Sequence, residues 1–210
     1  MKSKIIDDLT WRYATKKFDP KKKVSKKDLD ELLEVLRLSP SSYGLQPWKF
    51  LVITDKKIRE KLRPRARGQA QVTDASHLIV LCARTDIDGK YIRKYIESII
   101  KVRGVTRKSL KAYEDRMNAV MKSKSHEERE EWASRQVCIA LGMLMAACAQ
   151  KRIDCCPMEG FERGKFDEIL ELEKSGLKSV VLCPIGYRGA DDFAKNKKVR
   201  FDKGDVFGFI

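Results

Sequence analysis

One basic and aromatic stretch near the start of the chain carries residues suited to holding a phosphate group. It reads Trp11-Arg12-Tyr13-Ala14-Thr15-Lys16-Lys17-Phe18. Arg12 offers a bidentate fork of N–H donors, and Lys16 offers a compact point charge. The alternative interpretation is a solvated segment that Trp11 and Phe18 hold in place. A second basic cluster, Asn196-Lys197-Lys198-Val199-Arg200-Phe201, lies near the other end of the chain.

A loop of small, hydroxylated and turn-forming residues is the second candidate for ligand binding. It runs Ser39-Pro40-Ser41-Ser42-Tyr43-Gly44-Leu45-Gln46-Pro47-Trp48-Lys49-Phe50. Its prolines, glycine and serines cannot continue the preceding helix, so the chain must turn here. Serine hydroxyls and free backbone N–H groups at such a junction can bind an anion. The alternative is a plain helix-to-strand connection in which Trp48 only packs.

Two further loops contain polar groups that can face a ligand. The irregular basic loop Arg63 to Gln71 includes Gln69 and Gln71, whose amides can hydrogen-bond the edge of a ring. In the loop considered alone, solvent exposure of both glutamines is the simpler interpretation. The turn Pro157-Met158-Glu159-Gly160-Phe161 can direct its backbone N–H groups toward a ligand.

Composition restricts the classes of protein to consider. The 210 residues are 42% hydrophobic, which is enough for one core and one domain over residues 1–210. The formal net charge of +15 favours a polyanionic or phosphate-bearing partner, although the lysines are dispersed. The stretch after Met1 becomes acidic at Asp7 and develops no apolar core, so we expect no signal peptide. The apolar run 137–149 is too short to span a bilayer, and we expect no membrane partner.

Cysteine and histidine usage points to a reducing compartment and against a metal site. The six cysteines form no Cys-x-x-Cys pair, and most of them sit in apolar runs, as buried hydrophobes do. His77 and His126 lack the spacing of zinc ligands, so no metal is expected. We expect a cytoplasmic protein.

Hydrophobic periodicity predicts the elements that position these loops. Ser25 is the expected N-cap of a helix with Leu29, Leu32, Leu33 and Leu36 on one face. No Gly-x-Gly-x-x-Gly turn follows a strand, and strands separated by helices predict a layered architecture. The predicted helices cover 4–11, 25–39, 55–63, a polar helical excursion at 86–131, an apolar helix at 132–150, and 165–173. The predicted strands cover 50–54, 78–83, 153–158, 179–187 and the tail 206–210.

Together these stretches resemble the FMN-dependent nitroreductase family over nearly the whole chain. The resemblance rests on the motif 12–18, on Ser39-Pro40-Ser41-Ser42 with Gln46-Pro47-Trp48, and on Gln69-Ala70-Gln71-Val72-Thr73-Asp74-Ala75-Ser76-His77. It continues in Pro157-Met158-Glu159-Gly160-Phe161 and in Lys198-Val199-Arg200. The order of these five pieces in the chain is the order found in the family.

The resemblance implies an α+β fold, a three-layer α-β-α sandwich with a mixed sheet. It also implies an intertwined homodimer with FMN at the interface, and the apolar helix and apolar tail agree with such a dimer. The implied activity is hydride transfer from NADH or NADPH through FMN to a nitroaromatic, a quinone or a related small-molecule acceptor. The nucleotide is expected to leave before the acceptor enters the same pocket.

The resemblance also assigns roles to individual residues. By similarity, Arg12, Lys198 and Arg200 hold the phosphate, and Lys16 lies beside the N1/O2 edge of the flavin. Pro40, Ser41 and Ser42 come from the partner subunit. No side chain acts as a certain catalytic group; Lys16 and Glu159 tune the flavin. Gln69 and Gln71 meet the pyrimidine end of the ring, and Glu159 and Gly160 offer backbone N–H groups near N5 and O4. The remaining expected cofactor contacts are Tyr13, Ala14 and Pro157.

Some positions depart from the family pattern, and other functions stay open. Ala14 stands where many members have serine, Gly44 and Gly68 where asparagine is common, and Gln71 where some have lysine. One alternative keeps the fold and FMN but changes the task to dehydrogenation, flavin degradation or flavin storage. An alternative from another class is a basic nucleic-acid-binding protein, suggested by net charge alone. Substrate contacts are expected from the excursion 86–131.

Overall fold

A four-stranded antiparallel sheet lies at the centre of the computed structural model, which describes residues 3–190 and 192–210. The strand order is β1-β2-β4-β3. Met1 and Lys2, where the signal-peptide argument begins, lie outside the described residues. The strands are β1 Trp48–Ile53, β2 His77–Arg84, β3 Asp154–Cys155 and β4 Leu177–Gly186.

Nine helices surround the sheet in the described part of the chain, joined by short 3₁₀ turns. Ser25 caps the second of them as predicted, because its Oγ accepts a hydrogen bond from the backbone N–H of Asp28 at 3.0 Å. The helices are α1 Lys4–Trp11, α2 Lys26–Arg37, α3 Lys56–Leu62, α4 Gln71–Asp74, α5 Gly89–Arg103, α6 Lys111–Lys122, α7 His126–Gln150, α8 Arg163–Ile169 and α9 Lys203–Val206.

Two hydrophobic cores lie on opposite faces of the sheet. Alternate residues of β2 divide between them: Ile79 and Leu81 join one core, while Leu78 and Val80 join the other. Helices α2, α5, α6 and α7 cover the first face, and α3, α4 and α8 cover the second. Helices on both faces of a sheet make a three-layer sandwich, so the predicted α+β fold is confirmed.

The sheet is less mixed than expected. All three pairings between strands are antiparallel. Among the described residues, the parallel component is the isolated bridge between Ala14 and Cys155. This bridge places the first basic stretch directly alongside β3.

Several predicted boundaries are wrong. The apolar helix begins at His126 rather than Trp132, because Ser125 and Glu128 form a capping box there. The strand predicted at 153–158 is shorter in the structure, where it consists of β3 and an isolated bridge at Met158. The helix predicted at 165–173 is α8, which begins and ends earlier than predicted. Residues 71–74 form a short helix inside the region interpreted as a loop.

The C-terminal tail does not form the predicted strand within this chain. A short helix, α9, ends at Val206, and the residues after it are extended. Phe207 is 59% exposed and Phe209 is 99% exposed. The apolar tail therefore has no sheet partner among the described residues.

Helix α7 is long and apolar enough to cross a membrane by length and composition alone. Half of its most apolar 18-residue window is buried inside the structure, and a buried core helix passes the same test. Ile139 and Met143 on this helix are 43% and 45% exposed, so the chain covers only part of its apolar surface.

Candidate functional site

A cavity of about 820 Å³ brings both basic stretches together. Its wall consists of the segment 10–16, Pro157 and the segment 193–200, which are far apart in sequence. Predicted cofactor residues that line it are Arg12, Tyr13, Ala14, Lys16, Pro157, Lys198 and Arg200.

The segment that carries Arg12 and Lys16 is fixed by a buried carboxylate. Asp154 is 4% exposed, and its Oδ1 accepts hydrogen bonds from Thr15 Oγ1 at 3.1 Å and from Arg188 Nε at 2.8 Å. Its Oδ2 accepts from the backbone N–H of Arg188 at 2.8 Å. The backbone N–H of Thr15 also donates to the carbonyl oxygen of Cys155 at 3.4 Å. Hydrogen bonds from Thr15 thus attach the Arg12–Lys16 segment to β3.

The side chain of Arg188 links this carboxylate to the two aromatic residues beside Arg12. Its Cζ lies 4.3 Å from the ring centroid of Trp11 and 4.6 Å from that of Tyr13. Cation–π contacts of this kind restrict ring orientation as well as adding attraction. Arg188 therefore fixes the residues on either side of Arg12.

Arg12, Lys198 and Arg200 meet at this cavity, and none of them has an acidic partner among the described residues. Lys198 Nζ donates to the carbonyl oxygen of Arg12, and Arg200 Nη1 donates to the carbonyl oxygen of Val199 at 2.6 Å. Partial removal from water lowers the pKa of Lys198, and the charges of Arg12 and Arg200 lower it further. Repulsion among like charges in one place is relieved when an anion binds, and phosphate fits such a donor set.

The turn at Glu159 and Gly160, which follows the cavity-lining Pro157 in the chain, presents backbone donors. Met158 and Leu182 exchange hydrogen bonds of 2.8 and 3.0 Å, which attach the turn to β4. In the described chain, no protein acceptor takes a hydrogen bond from the N–H of Glu159 or of Gly160. The carbonyl oxygen of Gly160 accepts from Gln69 Nε2 at 3.1 Å, so the structure brings Gln69 to this turn.

Gln71 is placed differently from Gln69. It begins α4 and is 6% exposed, yet its side-chain amide forms no hydrogen bond with any other described residue. The atoms of this amide are not themselves fully buried, so they reach the surface, where water or a ligand can satisfy them.

Pro40, Ser41 and Ser42 do not line the cavity among the residues described. The backbone N–H of Ser42 instead donates to Gln136 Oε1 of α7 at 2.8 Å. Gln136 is 6% exposed, so α7 anchors this loop from the core of the same chain.

The next part of the same loop is strained and firmly held. Tyr43, Gly44 and Gln46 have φ values of 57°, 67° and 49°, in the left-handed region that non-glycine residues seldom occupy. Tyr113 Oη donates to the carbonyl oxygen of Tyr43 at 2.8 Å. Tyr91 Oη lies 3.1 Å from the carbonyl oxygen of Leu45 and 2.8 Å from that of Gln46. The helical excursion therefore shapes this loop.

Asp154, Arg188 and Gln136 support the site, but the sequence analysis did not identify them. Two of the three had a sequence signal: Asp154 is a carboxylate within an apolar strand, and Gln136 is an amide at the start of an apolar run. Buried polar residues in apolar surroundings are normally hydrogen-bonded, so each implies a partner. Arg188, which follows β4 and forms an isolated bridge with Phe18, carried no such signal.

Comparison with known proteins places this geometry in context. The model for the nitroreductase family matches residues 9–187. YfkO of Bacillus subtilis, provisionally named an NAD(P)H nitroreductase, is 40% identical over 208 residues, covering 94% of each chain. A Staphylococcus haemolyticus protein provisionally named in the same way is 38% identical, covering 100% of this chain and 99% of its own.

Solved structures share the fold at lower sequence identity. The Bacillus subtilis protein ydfN, provisionally named a nitroreductase, superposes with a TM-score of 0.88 at 20% identity, with 98% of each chain covered. A protein from Exiguobacterium sibiricum with the same provisional name was solved in complex with FMN. It has a TM-score of 0.85 at 21% identity and covers 100% of this chain and 99% of its own.

Proposed function

Because the chain belongs to the nitroreductase family, we propose that it is an FMN-dependent oxidoreductase. When bound, FMN would take hydride equivalents from NADH or NADPH and pass them to a nitroaromatic, a quinone or a related small acceptor. The observation that carries this proposal is the meeting of Arg12, Lys198 and Arg200 at one cavity without a described acidic partner.

The residues present fit FMN in two separate ways. The three cations match a phosphate group, because guanidinium and ammonium groups form short, charge-assisted hydrogen bonds to it. The unpaired N–H groups of Glu159 and Gly160, with the unpaired amide of Gln71, match the polar edges of a flavin ring. Lys16 lines the same cavity and supplies positive charge where a reduced ring gains negative charge.

The protein's own residues bind and orient in this proposal rather than exchange protons. Asp154 and Arg188 hold the Arg12–Lys16 segment, and Gln69 holds the carbonyl of Gly160 so that the N–H groups beside it stay directed outward. Fixed donors of this kind stabilise developing charge without reorganising during the reaction. Pro40, Ser41 and Ser42 are proposed to reach the cofactor of the partner subunit.

A homodimer would complete the site and cover the exposed apolar surface. Ile5 and Ile6 on α1, Ile139 and Met143 on α7, and Phe209 in the tail are all at least 43% exposed. Helix α1 packs on α7, so the exposed apolar residues of these two helices belong to neighbouring elements. An apolar surface of this extent favours a partner, and a second copy fits the family pattern. Light scattering tests this: a mass near 24.2 kDa would contradict the dimer, and twice that mass would support it.

We further propose a single domain over residues 1–210 and a cytoplasmic location. The two cores share one sheet, and the six cysteines, which are all free, suit a reducing compartment. No separate substrate domain is needed, because the cavity already joins both ends of the chain.

The test is the visible absorbance spectrum of the purified protein, followed by NADH or NADPH without oxygen. A flavin spectrum that bleaches with either nucleotide and recovers with a quinone supports the proposal. A flavin that no nucleotide bleaches would instead favour flavin storage or another redox task. A colourless protein that takes up no added FMN would contradict the proposal, and steeply salt-dependent nucleic-acid binding would then account for the net charge of +15.

A further inference from the structure

Arg67 occupies a left-handed backbone position beside the proposed flavin site. It follows the 3₁₀ turn Arg63–Ala66 with φ 55° and ψ 31°, and its backbone N–H donates to the carbonyl oxygen of Arg63. Gly68 follows with φ 70°. A non-glycine residue in this region costs about 1 kcal/mol or more, and such strain concentrates at functional sites. The two left-handed residues set the direction in which the Arg67 side chain leaves the turn.

The guanidinium of Arg67 lies against the turn that carries the unpaired N–H groups. A Cβ atom built on Gly160 would be 3.7 Å from Arg67 Cζ and 3.8 Å from Arg67 Nε. It would also be 3.7 Å from Gln69 Nε2, the atom that donates to the Gly160 carbonyl. Arg67 and Gln69 therefore flank Gly160 together.

Arg67 differs from the other two arginines of this turn because its side chain has no partner within the described residues. Arg63 Nε donates to the Gly68 carbonyl at 3.0 Å and Nη1 to Thr73 Oγ1 at 3.3 Å. Arg65 Nη1 lies 3.8 Å from a carboxylate oxygen of Glu162. Within the described ranges, Arg67 forms no ion pair or side-chain hydrogen bond. Its donors are available to a ligand.

We propose that Arg67 binds an anionic group, a carboxylate or a phosphate, on the small molecule that enters the pocket beside Glu159 and Gly160. The inference rests on the proposed function and adds a substrate class to it. A planar guanidinium can donate hydrogen bonds to two oxygens of such a group at once, which gives orientation as well as affinity. The anion has two sources: a carboxylate on the acceptor, or the additional phosphate of NADPH.

The experiment compares Arg67→Gln with wild type, both as FMN-loaded protein. Arg65→Gln is the matched control, because it removes the same charge from the same turn at a residue already paired with Glu162. Binding of benzoate and of its neutral counterpart benzamide is followed by the change in flavin absorbance. The same three proteins are assayed for kcat/KM with NADPH and with NADH.

A carboxylate site predicts that Arg67→Gln raises the Kd of benzoate about tenfold or more, since a charge-assisted hydrogen bond is lost. Benzamide should bind equally to all three proteins, and salt should weaken benzoate binding to wild type more than to Arg67→Gln. A loss confined to kcat/KM for NADPH would assign the anion to the nucleotide.

If flavin-loaded Arg67→Gln and wild type have the same Kd for benzoate and the same kcat/KM with NADPH, the inference about Arg67 is overturned while the proposed function stands. A failure of wild type to take up FMN would overturn the proposed function and this inference with it. The two failures are therefore distinguished by the first spectrum.

Discussion

Tyr113 Oη donates a hydrogen bond of 2.8 Å to the carbonyl oxygen of Tyr43, and 70 residues of chain separate the two. The centroids of their two rings are 6.2 Å apart. Tyr43 has φ 57°, an unfavourable backbone state that needs external support. Helix α6, within the excursion, thus provides part of the support for the loop that contains Pro40, Ser41 and Ser42.

Tyr113→Phe is expected to destabilise the fold by about 1 kcal/mol, the usual net contribution of one hydrogen bond. The Tyr43 carbonyl would lose its donor while the ring packing stays. If the loop contacts the partner's cofactor, FMN should also dissociate faster. Urea unfolding and flavin release measure the two effects. Tyr187→Phe is the control, and a stable variant with normal FMN retention would show that the loop needs no support from α6.

Arg12→Ala and Arg200→Ala should each weaken FMN binding by about tenfold to a hundredfold, from the loss of a charge-assisted contact of ~1.5–3 kcal/mol. Without FMN, each variant should unfold no more easily than wild type, because it removes a charge that repels Lys198. Fluorescence titration with FMN and thermal unfolding give both values. Arg65→Ala serves as a control for net charge. Full FMN occupancy in both cavity variants would show that the phosphate lies elsewhere.

Lys16→Ala should slow flavin reduction by NADH or NADPH by about tenfold or more, since one fixed donor near developing charge is typically worth that or greater. Its effect on FMN affinity should be smaller, because Arg12, Lys198 and Arg200 keep the phosphate. Anaerobic stopped-flow absorbance measures reduction directly. Lys17→Ala, one residue further along, controls for loss of charge. Unchanged reduction kinetics in Lys16→Ala would remove Lys16 from the proposed role.

Asp154→Ala is expected to cost about 3 kcal/mol of stability, the usual range for breaking a buried charge pair. It leaves Arg188 and Thr15 without their common acceptor, and Arg188 is the cation that stacks on Trp11. The Arg12–Lys16 segment should then shift, so FMN should bind more weakly even at temperatures where the variant is folded. Chemical unfolding and FMN titration test both points. Exposed Asp192, which pairs with Lys195, gives a control in Asp192→Ala.

His77 should make stability depend on pH. Burial lowers its pKa, and the positive charges of Arg59 and Lys23 lower it further. Between this lowered value and the unfolded value of about 6.5, the unfolded chain binds the proton more readily. Stability should therefore fall as pH decreases through that window. Urea unfolding of His77→Gln should show a flatter profile of stability against pH than wild type. Identical slopes would contradict the assignment.

The sequence alone predicted much of the local structure because local physics determines it. The leucine spacing after Ser25 produced α2, and the apolar run after His77 produced β2. The residues proposed to bind phosphate could also be named from the sequence, since Arg12 stands in a basic stretch near the start of the chain and Lys198 and Arg200 stand in a second basic cluster near its end.

Only the tertiary structure decided how those residues meet and what supports them. The fold alone brings Lys198 to the carbonyl of Arg12, 186 residues away, and Asp154 to Thr15 and Arg188. Likewise, the extent of β3 depended on pairing with β4, and the exposed tail after Val206 depended on the absence of a described strand beside it. Sequence patterns reflect near neighbours along the chain, whereas long-range hydrogen bonds and charge balance exist only once the sheet and helices have packed.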